Sequence, residues 1–161
     1  FTRMHDVIEK HGGQILNYIG DAIMVVFGAP NQLEDHEVKA LECAIEMREA
    51  LDRLNKDWDE REASRYWKNH GIERIIVRTG IHTGSVIAGN IGSERMLQYS
   101  TIGDVVNVAA RLEQANKEFD TNICFSEEIF INLTKSLHDK ANFVGEVKLK
   151  GRNTPSKVYA V

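Results

Sequence analysis

Residues 17–28 read NYIGDAIMVVFG. One apolar run ends at Ile19, Gly20-Asp21 intervenes, and a second apolar run begins at Ala22. Short apolar runs rich in β-branched and aromatic residues read as strands. A two-residue link with Gly first is the pair that a type II′ hairpin takes. The stretch therefore predicts two buried strands, QILNYI and AIMVVFG, with Asp21 alone at the tip between them. A turn carboxylate of this kind is ordinarily exposed and inert. A rigid hairpin tip also holds a carboxylate in one place, which suits a hard cation such as Mg²⁺.

Upstream, Met4, Ile8 and His11 follow helical spacing, and Gly12-Gly13 stops that helix. A charged helix with no preceding cap or turn indicates a chain that starts inside a larger unit. Downstream, Pro30-Asn31 breaks the sheet pattern. From Asp35 to about Asn55, Val38, Leu41, Ala44, Ile45, Leu51 and Leu54 form a helical stripe with acidic residues in the first turn. KDWDEREASRYWKNHG extends that helix or leaves the core. RIIVRTGIHTG reads as one long strand, GSVIAGNIGSERM as a turn-rich connection and LQYST as a short strand. Asp104 is placed to cap the helix VVNVAARLEQANKE. NICF follows as a strand, SEEIFINLTKSL as a capped helix, and FVGEVKLKG and SKVYAV as a closing pair of strands. Short turns between strands favour an α+β fold: a ferredoxin-like core with a mainly antiparallel sheet and helices on one face.

The 161 residues make one domain, 1–161, large enough for a hydrophobic core. A net charge of −4 argues against nucleic acid or anionic membrane as a partner, so any anion must be held locally. Cys43 and Cys124 lie outside any CxxC spacing and read as free, buried thiols of a reducing compartment. No apolar stretch approaches the ~18 residues of a membrane span, and no signal peptide is present. These features point to a cytoplasmic segment with no membrane contact of its own; the full-length protein can still be membrane-anchored.

Four further constellations bear on chemistry. Asn107 and Arg111 stand one turn apart, about 130° around the helix from Val105, Val108, Ala109 and Leu112. Such a pair is either a solvated face or a grip on a ribose oxygen and a phosphate, for which the arginine fork is suited. Lys150, in LKGR, is either an exposed strand end or a point charge for polyphosphate. His82, in GIHTG, reads as packed and hydrogen-bonded, and no second His or Cys stands at zinc-ligand spacing. Walker A, GxGxxG and GxSxG motifs are absent from the sequence.

The order of these signals is more specific than any one of them. IGDAIMVVFG, then GIHTGSVIAGNIGSERMLQYSTIGDVVNVAARLE, then VKLKG resembles the catalytic domain of class III nucleotide cyclases, the adenylyl and guanylyl cyclases. The resemblance runs over nearly the whole chain. It implies that Asp21 is one of two metal-binding aspartates of a two-ion Mg²⁺ or Mn²⁺ site, that Asn107 orients the ribose, that Arg111 stabilises the transferring phosphoryl group and that Lys150 meets the triphosphate tail. The 3′-hydroxyl would attack the α-phosphorus and release pyrophosphate. The site would form between two subunits of a homodimer, with Asp21 from one and Asn107, Arg111 and Lys150 from the other. Residues 89–99 would be the arm that reaches the partner.

Two departures from the family pattern follow. The other metal-binding aspartate of the family lies on an upstream strand, in a motif like FxDIxGFT, whereas this sequence opens after it. The chain as given is thus expected to lack one central strand and helix, to expose sheet edges, to bind metal poorly and to be inactive by itself. At the base-selecting positions, adenylyl cyclases typically carry Lys and Asp or Thr, and guanylyl cyclases Glu and Cys. Here stand Asn17, four residues before Asp21, and Ser100, after Gln98-Tyr99. Lysine only donates and glutamate only accepts, while an amide does both. The Ser100 hydroxyl resembles Thr and favours ATP, with GTP as the alternative. The rival in another class is an inactive cyclase-homology domain that dimerises or passes a signal. A diguanylate cyclase or polymerase palm would need an acidic motif that is not there.

Overall fold

The computed structural model describes residues 1–148 and 155–161. Gln14–Ile19 (β1) and Ala22–Val26 (β2) pair antiparallel, with Ile19 opposite Ala22 and only Gly20-Asp21 between them. Gly20 has φ +63°, the positive value that the first turn position of the expected hairpin requires. A register shift between Ile15 and Asn17 leaves Leu16 as a bulge, and its side chain is buried. The expectation of two buried strands is corrected at the tip: Tyr18 is 46% and Ile19 59% exposed. One face of this ribbon packs on the helices. There Ile15, Ile23, Val25 and Phe27 pack on Met4, Val7 and Ile8 of the first helix, α1 (Thr2–Lys10), and on Cys43, Ala50 and Leu51.

The helix α2 (His36–Glu60) is longer than its stripe predicted, because KDWDE continues it. It serves two cores. Its later turns meet the hairpin, while Val38, Leu41 and Ala44 pack on Ile81, Ile123 and Phe125. After it comes the short α3 (Arg65–Lys68), folded back so that Trp67 meets Trp58 edge to face, with ring centroids 5.5 Å apart.

A four-stranded sheet runs in the order β3 (Thr79–Ile81), β6 (Ile123–Ser126), β8 (Ser156–Ala160), β7 (Asn142–Val147). Its β3–β6 pair is parallel and the other two are antiparallel. Strand β6 is buried along its whole length. Ile123 and Phe125 face α2, whereas Cys124, Val158 and Ala160 face Val108, Leu112 and Ala115 of α4 (Asp104–Phe119). The sheet therefore carries helices on both faces, not one. A strand apolar on both sides has no alternation from which a sequence reading could tell this.

Other boundaries move for physical reasons. The long strand expected at RIIVRTGIHTG shrinks to Thr79–Ile81, the part that finds a partner in β6; Ile76 and Val77 before it are exposed. The connection read as turn-rich is instead β4 (Ile87–Ser93), paired residue for residue with β5 (Met96–Ile102). Its glycines hid a strand that packs little on either face. Asp104 is the first residue of α4 and does not cap it; the cap position is Gly103. SEEIFINLTKSL divides into α5 (Glu127–Phe130) and α6 (Lys135–His138), where Thr134 turns extended.

Candidate active site

The site residues sit on three supports. Asp21 stands exposed at the tip of the β1–β2 hairpin, fixed by the tight turn. Asn107 and Arg111 are exposed on one face of α4, one turn apart as their spacing predicts. Ser100 is half-buried on β5 opposite Gly89, and Asn17 is exposed on β1 beside the bulge. Lys150 lies outside the described residues.

The hold on α4 is unusually close. A Cβ built at Gly80 would fall 2.1 Å from the Ala109 carbonyl oxygen and 2.2 Å from the Glu113 nitrogen. Strand β3 and the helix thus meet backbone to backbone over residues 109–113, the turn that carries Arg111. One turn further on, the buried Asn116 amide donates to the carbonyl oxygens of Thr79 (3.0 Å), Glu113 (3.1 Å) and Leu112 (3.2 Å). Its own oxygen accepts from the Thr121 hydroxyl at 2.9 Å. A buried amide with its bonds satisfied locks one arrangement. Asn116 was missed by motif reading, although it lies at i+4 from Leu112 in the buried stripe of Val108 and Leu112.

A second tie joins the strands that carry Asn17 and Ser100. The Gln98 side-chain amide donates to the Leu16 carbonyl oxygen at 3.1 Å, across from β5 to β1. Asn17 is the next residue on one strand and Ser100 lies two residues along the other, so the strands that carry them are fixed together. Among the described residues, no hydrogen bond or ion pair links Asp21 with Asn107 or Arg111. One chain brings Asn17 and Ser100 onto joined strands and Asn107 and Arg111 onto one helix face, while Asp21 stands on a different support, the hairpin tip.

The remaining titratable groups narrow the chemistry. Cys43 is free and burial pushes its thiol up to about 12, with Glu46 adding to the rise. Burial also raises the free Cys124 thiol, partly offset by the hydrogen bond with Thr121. Both shifts run against thiolate chemistry, which needs a lowered value. His82 is packed, as expected: Nδ1 is 2.7 Å from Ser126 Oγ and the side chain is 2% exposed. Among the described residues, no three His, Cys, Asp or Glu side chains converge to hold a metal ion, and no helix is long and apolar enough to cross a membrane.

The family model for the adenylate and guanylate cyclase catalytic domain matches residues 1–161. The chain belongs to that family. It is 32% identical over 161 residues to adenylate cyclase 1 of Rhizobium meliloti (strain 1021), covering all of this chain and 23% of that protein. It is 37% identical over 159 residues to an adenylate cyclase of Anabaena cylindrica, covering 98% of this chain and 30% of that one. The chain thus spans less than a third of the length of these curated relatives. The crystal structure of the guanylyl cyclase Cya2 superposes with a TM-score of 0.79 at 32% identity, covering all of this chain and 75% of its own. The α+β architecture is that of class III cyclase catalytic domains.

Proposed function

We propose that this domain converts ATP to 3′,5′-cyclic AMP and pyrophosphate, as a homodimer whose site draws on both subunits. The observation that carries the reading is Asn107 and Arg111, exposed together on a helix whose backbone is clamped to β3 at Gly80. Catalysis of this kind needs preorganised groups, and a clamped helix supplies them at no further ordering cost. Asn107 would hold the ribose so that its 3′-oxygen faces the α-phosphorus. A new P–O bond then forms, the bond to the pyrophosphate oxygen breaks, and the hydroxyl proton leaves. Arg111 would stabilise the charge on the transferring phosphoryl oxygens through two parallel N–H bonds. Lys150 is assigned to the triphosphate tail.

Asp21 offers one hard-oxygen ligand for Mg²⁺ or Mn²⁺. By themselves, the described residues of one chain do not build a two-ion centre. Two subunits are favoured because the β4–β5 ribbon exposes Ile87, Met96, Leu97 and Ile102.

ATP is favoured over GTP by the Ser100 hydroxyl and by the two adenylate cyclases among the relatives. Likeness to a guanylyl cyclase structure at 32% identity keeps GTP as the second reading. The test is incubation of the intact protein with Mn²⁺ and either nucleotide, followed by chromatography. Cyclic AMP is expected. Cyclic GMP alone would keep the mechanism and reverse the base assignment. A confirmed dimer that makes neither product would leave a signalling domain without activity.

A further inference from the structure

Three parts of the fold meet at the ring of His36, the first residue of α2. Nδ1 lies 3.0 Å from the Leu33 carbonyl oxygen, so that nitrogen carries a proton and donates it. Nε2 lies 3.2 Å from Thr83 Oγ1 and 3.1 Å from Glu37 Oε1. The Thr83 hydroxyl is 3.2 Å from the same carboxylate oxygen and donates to it. Imidazole, hydroxyl and carboxylate close a triangle between the start of α2 and the loop after β3. Gly28, past the end of β2, rests on the ring: a Cβ there would lie 3.6 Å from His36 Cγ.

The loop after β3 in turn bears on α4. A Cβ at Gly84 would come within 2.8 Å of Val105 Cγ2, and one at Gly103 would lie 3.4 Å from the Ser85 carbonyl oxygen and from Val86 Cγ1. Residues 84–86, which follow Thr83 directly, therefore lie against the cap and first turn of α4, and Val105 stands two residues before Asn107. Nothing in the motif reading marked this: His36 and Thr83 are 47 residues apart in sequence.

We infer that His36, Glu37 and Thr83 form a positioning unit that sets the first turn of α4, and with it Asn107 and Arg111, relative to the hairpin. Its catalytic consequence rests on the cyclase reading above. None of the three is assigned to the reacting atoms. Groups that align transition-state contacts act on kcat, because a small misplacement weakens the transition state more than the bound substrate.

The test uses the intact protein with His36→Ala, Thr83→Val, the double variant and Thr83→Ser. Each of the first two is expected to lower kcat about tenfold and to leave the KM for ATP within about twofold. Thr83→Ser restores the hydroxyl and the rate. The double variant is no worse than His36→Ala, since both break one triangle. Hydrogen–deuterium exchange is read in parallel: the first-turn amides of α4 exchange faster in Thr83→Val while those of β6 and β8 do not change. A wild-type kcat in Thr83→Val with unchanged exchange in α4 overturns the proposal. So does a loss of rate that follows a fall in Tm and that Thr83→Ser does not recover. If the unmodified protein forms no cyclic nucleotide, the cyclase reading fails, and the exchange pattern alone decides whether the triangle positions α4.

Discussion

Gly80 and Ala109 touch through their backbones, and a single added methyl group at position 80 would sit 2.1 Å from the Ala109 carbonyl oxygen. A clash with a side-chain tip can be relieved by rotation, whereas a clash with helix backbone moves the helix. Gly80→Ala is expected to cost at least about 3 kcal/mol, at the upper end of overpacking effects. The urea midpoint should fall with little change in the m-value. Any folded protein that remains should cyclise slowly, because the displaced helix carries Asn107 and Arg111. A wild-type midpoint would mean that strand and helix do not press on each other.

Acid sensitivity should be traceable to Glu46. It accepts from Lys10 at 2.7 Å and lies 2.8 Å from His11 Nε2. The hydrogen bond from Lys10, then that with His11, holds its carboxyl below the ordinary 4.5. The unfolded chain therefore takes up this proton first as pH falls. The contribution is fully present above about 4.5 and is lost as pH drops through the lower folded value. The pair is solvent-exposed, so the effect is small. Melting curves of wild type and Glu46→Gln should differ slightly at neutral pH and converge in acid. A gap that does not narrow as pH falls below about 4.5 would assign the difference to something other than ionisation.

The hairpin was legible because Gly-Asp between apolar runs has few alternative readings, and α4 because Val105, Val108, Ala109 and Leu112 recur at helical spacing. What escaped the sequence escaped for identifiable reasons. Strand β4 packs little on either face and carries Gly89 and Gly92, so no alternation marks it. The expected length of β3 was set by its apolar residues, yet hydrogen bonds need a partner, and β6 supplies one only to Thr79–Ile81. Site residues on one element were found by spacing. The supports that join elements were not: Gly80, Asn116, Gln98 and His36 act across large sequence separations, where one sequence has no period to read.

The proposed purine contacts of Asn17 and Ser100 predict that base selection moves with these two residues. Asn17→Glu with Ser100→Cys replaces an ambiguous amide by an acceptor and removes the hydroxyl. The ratio of kcat/KM for GTP over that for ATP should rise about tenfold or more, as wrong pairings leave buried groups unpaired. Asn17→Lys with Ser100→Thr should move the ratio the other way. Rates that fall equally for both nucleotides, in both pairs, would place the purine elsewhere.

The proposal that Asp21 and Arg111 meet across two subunits gives the sharpest prediction about the dimer. Asp21→Ala and Arg111→Ala should each lower kcat at least about 100-fold, the scale of losing one transition-state contact. In the proposed two-fold symmetric dimer each site would take Asp21 from one chain and Arg111 from the other. A mixed dimer of the two variants then has one site with both defects and one with neither. If subunits exchange freely at equal concentration, half the dimers are mixed and half their sites are intact, so roughly a quarter of wild-type activity should return. Neither variant alone should recover on dilution and remixing. Sedimentation must show that the dimers persist and exchange. Under those conditions, a mixture as inactive as its components would mean that Asp21 and Arg111 serve the same site within one chain, and the shared-site reading would be wrong.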